Sequence, residues 1–217
     1  MGTPEFSVPI LESIYKSRHK LVNVYTQPPK NKARGQKLIE SPIHLFSRKL
    51  NLNVRCPKNL NNDEEFNFIK NLAPNVVIVS AYGQIIPENI LNIPNIIFIN
   101  VHASLLPKWR GAAPIQRSIM AMDQETGISI MKIIKELDAG PYMLQEKIKI
   151  RTEDNHQILS EKLSEIGAKL AIKSLDLIEM GEVNYIPQNN NEATYAKKIK
   201  KEECQIKWDL PAKKLVA

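Results

Sequence analysis

Cysteine is scarce in this chain, and so are the features that mark secreted or membrane proteins. The two cysteines, Cys56 and Cys204, lie far apart and match no disulfide, zinc or redox spacing. No apolar run approaches the length that crosses a bilayer, and no basic start precedes an apolar signal core. We therefore expect a protein of the reducing cytoplasm that has no membrane partner.

Several common catalytic and nucleotide-binding motifs are also missing. The chain has 8 glycines, and Gly2 and Gly35 stand alone rather than in a GxGxxG or P-loop pattern. No serine or cysteine occupies a nucleophile elbow, so we do not expect covalent catalysis. No HExxH or similar ligand cluster is present, so no catalytic metal is expected.

The length and the order of sequence patterns favour one α/β domain. A chain of 217 residues can bury a substantial core, and its net charge of +7 permits an anionic partner without identifying one. Predicted strands alternate with predicted helices, which indicates a Rossmann-like, doubly wound, mostly parallel sheet. The first residues predict a turn into a helix with Thr3 as N-cap. No strand precedes that turn, so the sheet lacks its first strand or the fold starts with a helix.

One stretch, residues 96–114, dominates the sequence. It opens as an apolar run of strand length and ends in a loop that contains proline, arginine and glycine. Asn100 and His102 stand two residues apart at the end of this strand, and side chains with that spacing share one face. In open parallel sheets, ligands bind beyond the carboxyl ends of the strands. We therefore interpret the strand end as a site rather than as a capped strand with a satisfied histidine.

The residue types near this strand end suit the attack of an amine on an acyl carbonyl. Such a reaction needs three groups. One donates a hydrogen bond to the developing oxyanion, one acts as an acid or base, and a third keeps that acid or base in the protonation state that the reaction requires. Asn100 offers amide donors, and His102 belongs to the residue type that titrates near neutrality. Asp138 is the preferred carboxylate, because it lies in a turn with glycine and proline between two predicted strands. Glu136 in the same turn is the competing carboxylate.

Two long motifs make the sequence similar to a known family. Residues 100–107 have the sequence Asn-Val-His-Ala-Ser-Leu-Leu-Pro, and residues 109–116 have Trp-Arg-Gly-Ala-Ala-Pro-Ile-Gln. Together with the Leu-Asp-Ala-Gly turn around Asp138 and with residues 2–6 and 79–83, these motifs resemble the folate-dependent formyltransferases. The resemblance covers nearly the whole chain.

The resemblance implies the formyltransferase fold and 10-formyltetrahydrofolate as the formyl donor. It implies that an amine attacks the formyl carbon while an amide and a protonated imidazole stabilise the oxyanion, and a nearby carboxylate favours the imidazolium. The implied catalytic residues are Asn100, His102 and Asp138. The implied folate-binding residues are Ser104, Leu105, Leu106, Pro107, Tyr82 and Gly83.

Within that family, the basic loop and residues 110–116 suit the member that formylates the α-amine of initiator methionyl-tRNA. Phosphate contacts from such a loop would make the affinity fall with salt. The implied tRNA-binding residues are Arg34, Lys30, Lys32 and Lys37. A solvated flexible loop is the competing interpretation of these charges.

The ends of the sequence differ from the family pattern. Family members have an apolar strand before the position of Gly2 and a β-barrel domain after a linker, so we expect a chain that is truncated at both ends. We also expect the protein to be a monomer. We assign residues 1–182 to a formyltransferase catalytic domain. Residues 183–217 are assigned to a linker and the start of a missing C-terminal domain. Two alternatives stay open: a formyltransferase that acts on a small amine, and an inactive folate- or RNA-binding remnant.

Overall fold

The computed structural model describes residues 1–32, 37–206, 208–209 and 211–216. Within these residues the α-helices are α1 (Val8–Lys16), α2 (Pro42–Lys49), α3 (Asp63–Leu72), α4 (Glu88–Leu91), α5 (Pro114–Met120), α6 (His156–Met180) and α7 (Ala212–Val216). The strands are β1 (Val24–Tyr25), β2 (Lys30–Lys32), β3 (Lys37–Ile39), β4 (Val54–Arg55), β5 (Val76–Val79), β6 (Ile97–His102), β7 (Arg110–Gly111), β8 (Glu125–Lys132), β9 (Tyr142–Lys149) and β10 (Tyr195–Ala196). None of the helices in the described ranges combines the length and the apolar character that a membrane span requires.

The main sheet has four strands in the order β5-β6-β8-β9. β5 and β6 are parallel, as are β1 and β4 in a neighbouring two-stranded sheet. β8 runs antiparallel to both β6 and β9. A turn without a crossover helix joins β8 to β9, which is typical of an antiparallel pair. The predicted α/β fold with parallel strands at its centre is confirmed, and its far edge is antiparallel.

Strand β6 is covered on both faces, which explains its nearly continuous apolar sequence. Ile99 and Val101 belong to the core formed with α1 and α6, whose contacts include Leu159 and Leu163. Phe98 belongs to a second core on the opposite face, with Tyr25, Leu60 and Ile69 among its members. Alternation along the strand therefore places Asn100 and His102 on the face of Phe98.

A gap one strand wide separates β1 from β5. At one end of the gap, Gly2 N donates to Tyr25 O and Ser80 N donates to Met1 O, both at 2.9 Å. Residues 1–2 thus pair with both neighbouring strands, and the rest of the gap is a cavity of ≈ 710 Å³. Its walls include Val22, Val24, Val76 and Ile78. The expectation of a sheet without its first strand corresponds to this gap.

The turn that follows differs from the prediction in one respect. Helix α1 begins at Val8 after a 3-10 turn, Glu5–Ser7, and Thr3 does not cap it. Thr3 Oγ1 donates instead to Tyr82 O at 2.8 Å. The N-cap prediction was wrong because a contact across 79 residues of sequence engages this hydroxyl.

The segment after α6 returns to the middle of the chain. Ile186 forms an antiparallel bridge with Tyr142 at the start of β9. Further on, β10 pairs in parallel with β7, in the loop that follows β6. Ala196 O accepts hydrogen bonds from Ala112 N and Ala113 N at 2.9 and 3.2 Å. Residues 186–196 therefore pack against the same end of the sheet as Asn100 and His102.

Candidate active site

Asn100 and His102 lie at the carboxyl end of β6, where its pairing with β8 ends. In the β6–β8 register Asn100 stands opposite Met131 and His102 stands opposite Ser129. The His102 side chain is 5% exposed, so its ring is held by protein atoms rather than by bulk water. The two polar groups share one face, as the spacing predicted.

Asp138 reaches this strand end from the turn between β8 and β9. Its Oδ2 accepts a hydrogen bond from Gly111 N at 2.8 Å and lies 3.7 Å from His102 Nδ1. Its Oδ1 lies 3.4 Å from Asn100 Nδ2, a long hydrogen bond. The competing carboxylate of Glu136 belongs to an exposed residue. The structure thus brings Asp138, rather than Glu136, next to the strand end.

The His102 ring lies between two hydrogen-bond acceptors. Its Nε2 lies 2.9 Å from Trp109 O, and a carbonyl oxygen can only accept, so Nε2 carries a proton. Its Nδ1 faces the Asp138 carboxylate at 3.7 Å, which is an electrostatic contact rather than a hydrogen bond. The imidazole is therefore held by one hydrogen bond and lies beside a carboxylate.

The predicted folate loop, Ser104 to Pro107, is buried or half-buried and is held by several hydrogen bonds. Ser104 is 0% exposed and Leu106 is 3% exposed, whereas Leu105 and Pro107 are half-buried. Ser129 Oγ donates to Ser104 O at 2.6 Å and accepts from Leu106 N at 3.0 Å. Gln145 Nε2 donates to both Leu106 O and Ser129 Oγ at 2.8 Å. The loop therefore presents Leu105, Pro107 and its backbone, while Ser104 and Leu106 shape it from inside.

Tyr82 and Gly83 lie beyond the end of β5. The Tyr82 side chain is 1% exposed, and its hydroxyl has no hydrogen-bond partner among the described residues. Burial raises the pKa of Tyr82 well above its usual value, so the phenol stays protonated. Gly83 has φ +76 and packs against the Gln27 side chain. In this structure Tyr82 meets its surroundings mainly through packing and through its carbonyl, which accepts from Thr3 and Gln27.

Three of the predicted tRNA-binding residues, Lys30, Lys32 and Lys37, lie on the short strands β2 and β3. β2 and β3 are antiparallel, and Lys32 stands opposite Lys37 in their register. Lys30 is exposed, and its ammonium contacts Gln27 Oε1. Arg34 lies outside the described residues. The described backbone of the hairpin follows β1, on the carboxyl side of the parallel strands.

Three residues at the site had no predicted role. Arg110 is 4% exposed, and its guanidinium donates to Gln188 Oε1 at 2.9 Å and to Asn190 Oδ1 at 2.8 Å. Gln188 Nε2 donates in turn to Asp138 O at 2.9 Å and Gly140 O at 2.7 Å. In the sequence these amides belong to a short polar loop with no recognisable motif. No local signal could reveal contacts that span 50 and 78 residues.

A separate charged cluster lies at the far end of α6. Side chains of His19, Asp176 and Glu179 are grouped closely enough to hold a cation. However, the Arg18 guanidinium lies 2.8 Å from Asp176 Oδ1 and 2.5 Å from Glu179 Oε2. Both carboxylates already face a positive charge, so we interpret the cluster as an ion-pair network.

Comparison with known proteins identifies a family and close relatives in sequence. The formyl transferase family profile matches residues 1–175. The methionyl-tRNA formyltransferase of Pelagibacter ubique is 48% identical over 217 residues, which are 100% of this chain and 70% of that protein. The methionyl-tRNA formyltransferase of Sulfurihydrogenibium sp. is 47% identical over 215 residues, which are 99% of this chain and 69% of that protein.

The fold has counterparts among solved structures. A 4-N formyltransferase from Francisella tularensis superposes with a TM-score of 0.75 at 19% identity, over 96% of this chain and 79% of that one. At this identity the likeness concerns the fold alone. The family profile matches residues 1–175, and the Pelagibacter ubique relative is 48% identical over 217 residues. The chain therefore belongs to the formyl transferase family.

Proposed function

We propose that this protein transfers a formyl group from 10-formyltetrahydrofolate to the α-amine of initiator methionyl-tRNA in the cytoplasm. One observation carries the proposal: Asn100, His102 and Asp138 converge at one strand end of a formyl transferase fold. The methionyl-tRNA formyltransferases with which the chain shares nearly half its residues support the choice of acceptor.

The three side chains divide the chemistry of acyl transfer among them. A free α-amine has a pKa of roughly 8, so its neutral, nucleophilic form is accessible near neutral pH. Its attack on the formyl carbon places negative charge on the formyl oxygen. Asn100 Nδ2 has a second N–H that would donate to that oxygen, and positive charge on the His102 ring would stabilise it electrostatically. When the C–N bond to the folate nitrogen breaks, His102 would give that nitrogen a proton, and it would then take up the proton that the amine loses.

Asp138 supports this chemistry through charge and position. Its carboxylate lies 3.7 Å from His102 Nδ1, so positive charge that develops on the ring during the reaction would be stabilised by Coulomb attraction. Its Oδ1 also engages one N–H of Asn100, which fixes the orientation of the amide. Because Gly111 N holds Oδ2 at 2.8 Å, the carboxylate itself is fixed in place.

The surroundings of the site fit a folate. The cosubstrate supplies the formyl group, and its flat, partly apolar ring suits the half-buried Leu105 and Pro107. The backbone of that loop is held by Ser129 and Gln145, so it can present fixed polar groups to a ring edge. We propose that Ser104, Leu106 and Tyr82 support the folate site from the buried side. Gly83, in the neighbouring loop, is proposed to line the site.

The basic hairpin is the proposed tRNA contact. Lys30, Lys32, Arg34 and Lys37 concentrate positive charge in a protein whose net charge is +7. Such a group favours a polyanion and makes binding fall with ionic strength. In this proposal residues 1–182 form the catalytic domain, and residues 183–217 form a linker whose first part packs against the site.

The test measures formyl transfer from 10-formyltetrahydrofolate to charged initiator tRNA, with a small amine as the alternative acceptor. We expect transfer to the tRNA, and we expect Arg34→Ala to raise the KM for tRNA about tenfold while folate affinity is unchanged. Loss of one phosphate contact should also reduce the salt slope of tRNA binding by about one unit. A preference for the small amine, or folate binding without any transfer, would favour the two alternatives and count against the proposal.

A further inference from the structure

Gln188, a side chain from outside the loop that carries Asp138, donates to two backbone carbonyls of that loop. Gln188 Nε2 donates to Asp138 O at 2.9 Å and to Gly140 O at 2.7 Å. Both carbonyls belong to the turn between β8 and β9, so one amide group spans it. The donor comes from the segment after α6, which is far from the turn in sequence.

The chemistry of this contact requires an amide. Carbonyl oxygens only accept, so the NH₂ group of Gln188 must face Asp138 O and Gly140 O. A guanidinium only donates, so Oε1 must face Arg110 Nε, which lies at 2.9 Å. A carboxylate at this position would keep the contact with Arg110 but would oppose two carbonyl oxygens with its own oxygens. Glutamine satisfies all three partners at once.

Arg110 anchors the amide rather than pairing with an acid. It is 4% exposed, and its side chain donates to Gln188 and Asn190. A buried cation whose partners are amide oxygens is held in one geometry by those hydrogen bonds. Its own backbone continues into Gly111, whose N–H holds Asp138 Oδ2. Residues 110 and 111 therefore hold the Asp138 turn in two ways. Arg110 orients Gln188, and Gly111 N–H donates to Asp138 Oδ2.

The turn needs such support because Asp138 adopts an unfavourable backbone conformation. Its φ of 48° lies in the left-handed region, which costs a residue other than glycine free energy. Relaxation of that strain would move the carboxylate away from its position 3.7 Å from His102 Nδ1. Displacements of about 1 Å at a reacting centre can cost about 100-fold in rate.

We propose that Gln188 is a positioning residue for formyl transfer, which holds the Asp138 turn through Asp138 O and Gly140 O and is itself oriented by Arg110. The inference rests on the proposed function. According to this inference, the segment that follows α6 affects the rate of formyl transfer as well as packing against the sheet.

The test compares two amide-to-acid substitutions in the same loop. Gln188→Glu keeps the size and the acceptor for Arg110 but removes both donors to the turn. Asn191→Asp adds the same charge three residues away, on an exposed residue whose side chain makes no hydrogen bond within the described part of the chain. We expect kcat to fall about 10- to 100-fold in Gln188→Glu, with less than a threefold change in the KM for folate. Asn191→Asp should match the unsubstituted protein.

A double substitution separates positioning from general destabilisation. If Gln188 acts through Asp138, adding Gln188→Glu to Asp138→Ala should cause no further loss beyond about twofold. An independent, multiplicative loss would overturn the inference, and so would unchanged kcat in Gln188→Glu.

Amide hydrogen exchange gives a readout that does not depend on activity. We expect exchange at Gly111 N–H to accelerate in Gln188→Glu and to stay unchanged in Asn191→Asp, since that N–H is bonded to Asp138 Oδ2. Equal exchange in both variants would overturn the inference even if the unsubstituted protein transferred no formyl group. Absence of transfer by the unsubstituted protein would count against the proposed function alone.

Discussion

Replacement of Asp138 by asparagine is the most direct perturbation of the proposed chemistry. The amide keeps the shape and an oxygen for Gly111 N, but it removes the negative charge beside His102. Two unit charges 3.7 Å apart interact by about 4.5 kcal/mol at an effective dielectric constant of about 20. The Asp138 side chain is 14% exposed, so solvent reduces this to about 2 to 4 kcal/mol. At about 1.4 kcal/mol per factor of ten, kcat should fall about 30- to 1000-fold.

The assay is steady-state formylation of charged initiator tRNA with 10-formyltetrahydrofolate. The charge acts on the protonated form of the ring in the transition state, so the loss should appear in kcat. Folate binding, measured separately by fluorescence or calorimetry, should change less than threefold.

Glu136→Gln is the matched control, because it removes the same charge from an exposed position two residues away in the same turn. We expect this variant to retain at least half of the original kcat. The reasoning would be refuted if Asp138→Asn kept kcat within about threefold of the original, or if Glu136→Gln lost as much activity as Asp138→Asn.

Two further predictions concern the folate loop and the stability of the fold. Ser129→Ala removes the hydroxyl that joins Ser104 O and Leu106 N, so the KM for folate should rise about tenfold with a smaller change in kcat; an unchanged KM would show that the loop keeps its shape without it. Asp154 is buried, which alone would raise its pKa, but hydrogen bonds from the Lys162 ammonium and Arg151 N–H outweigh burial and lower that pKa. Its stabilising contribution is therefore present above the unfolded pKa of about 4 and is lost as the pH falls through the lower folded value. Denaturant unfolding should show Lys162→Met about 2 kcal/mol less stable at pH 7, with a smaller difference near pH 3; a difference independent of pH would contradict this account.

The alternation of strands and helices and the apolar sequence of β6 were enough to predict an α/β sheet. The gap between β1 and β5 agrees with the sequence, which shows no strand before the first turn. Local sequence did not predict that residues 1–2 bridge both strands, or that Thr3 donates to Tyr82 O instead of capping a helix. These bonds join residues more than 20 positions apart, and a local pattern contains no information about them.

The candidate site divides in the same way. The spacing of Asn100 and His102 was sufficient to place them on one face, because strand side chains alternate with a period of two residues. The choice between Asp138 and Glu136 depended on the path of the β8–β9 turn, which directs one carboxylate toward His102 and leaves the other exposed. Likewise, the sequence placed Ser104 and Leu106 in the loop after β6, but only packing showed that their side chains point inward.

By itself, then, the sequence determined which chemical groups are available at the strand end, since residue identity and short-range periodicity are local properties of a chain. The resemblance to the family came from its long motifs, residues 100–107 and 109–116. Only the tertiary structure decided how those groups are held. Gln188 and Arg110 lie in segments with no motif in common. They meet at the Asp138 turn because β10 pairs with β7 and brings the segment after α6 back to the sheet. Contacts of that range depend on the path of the whole backbone, which no single stretch of residues specifies.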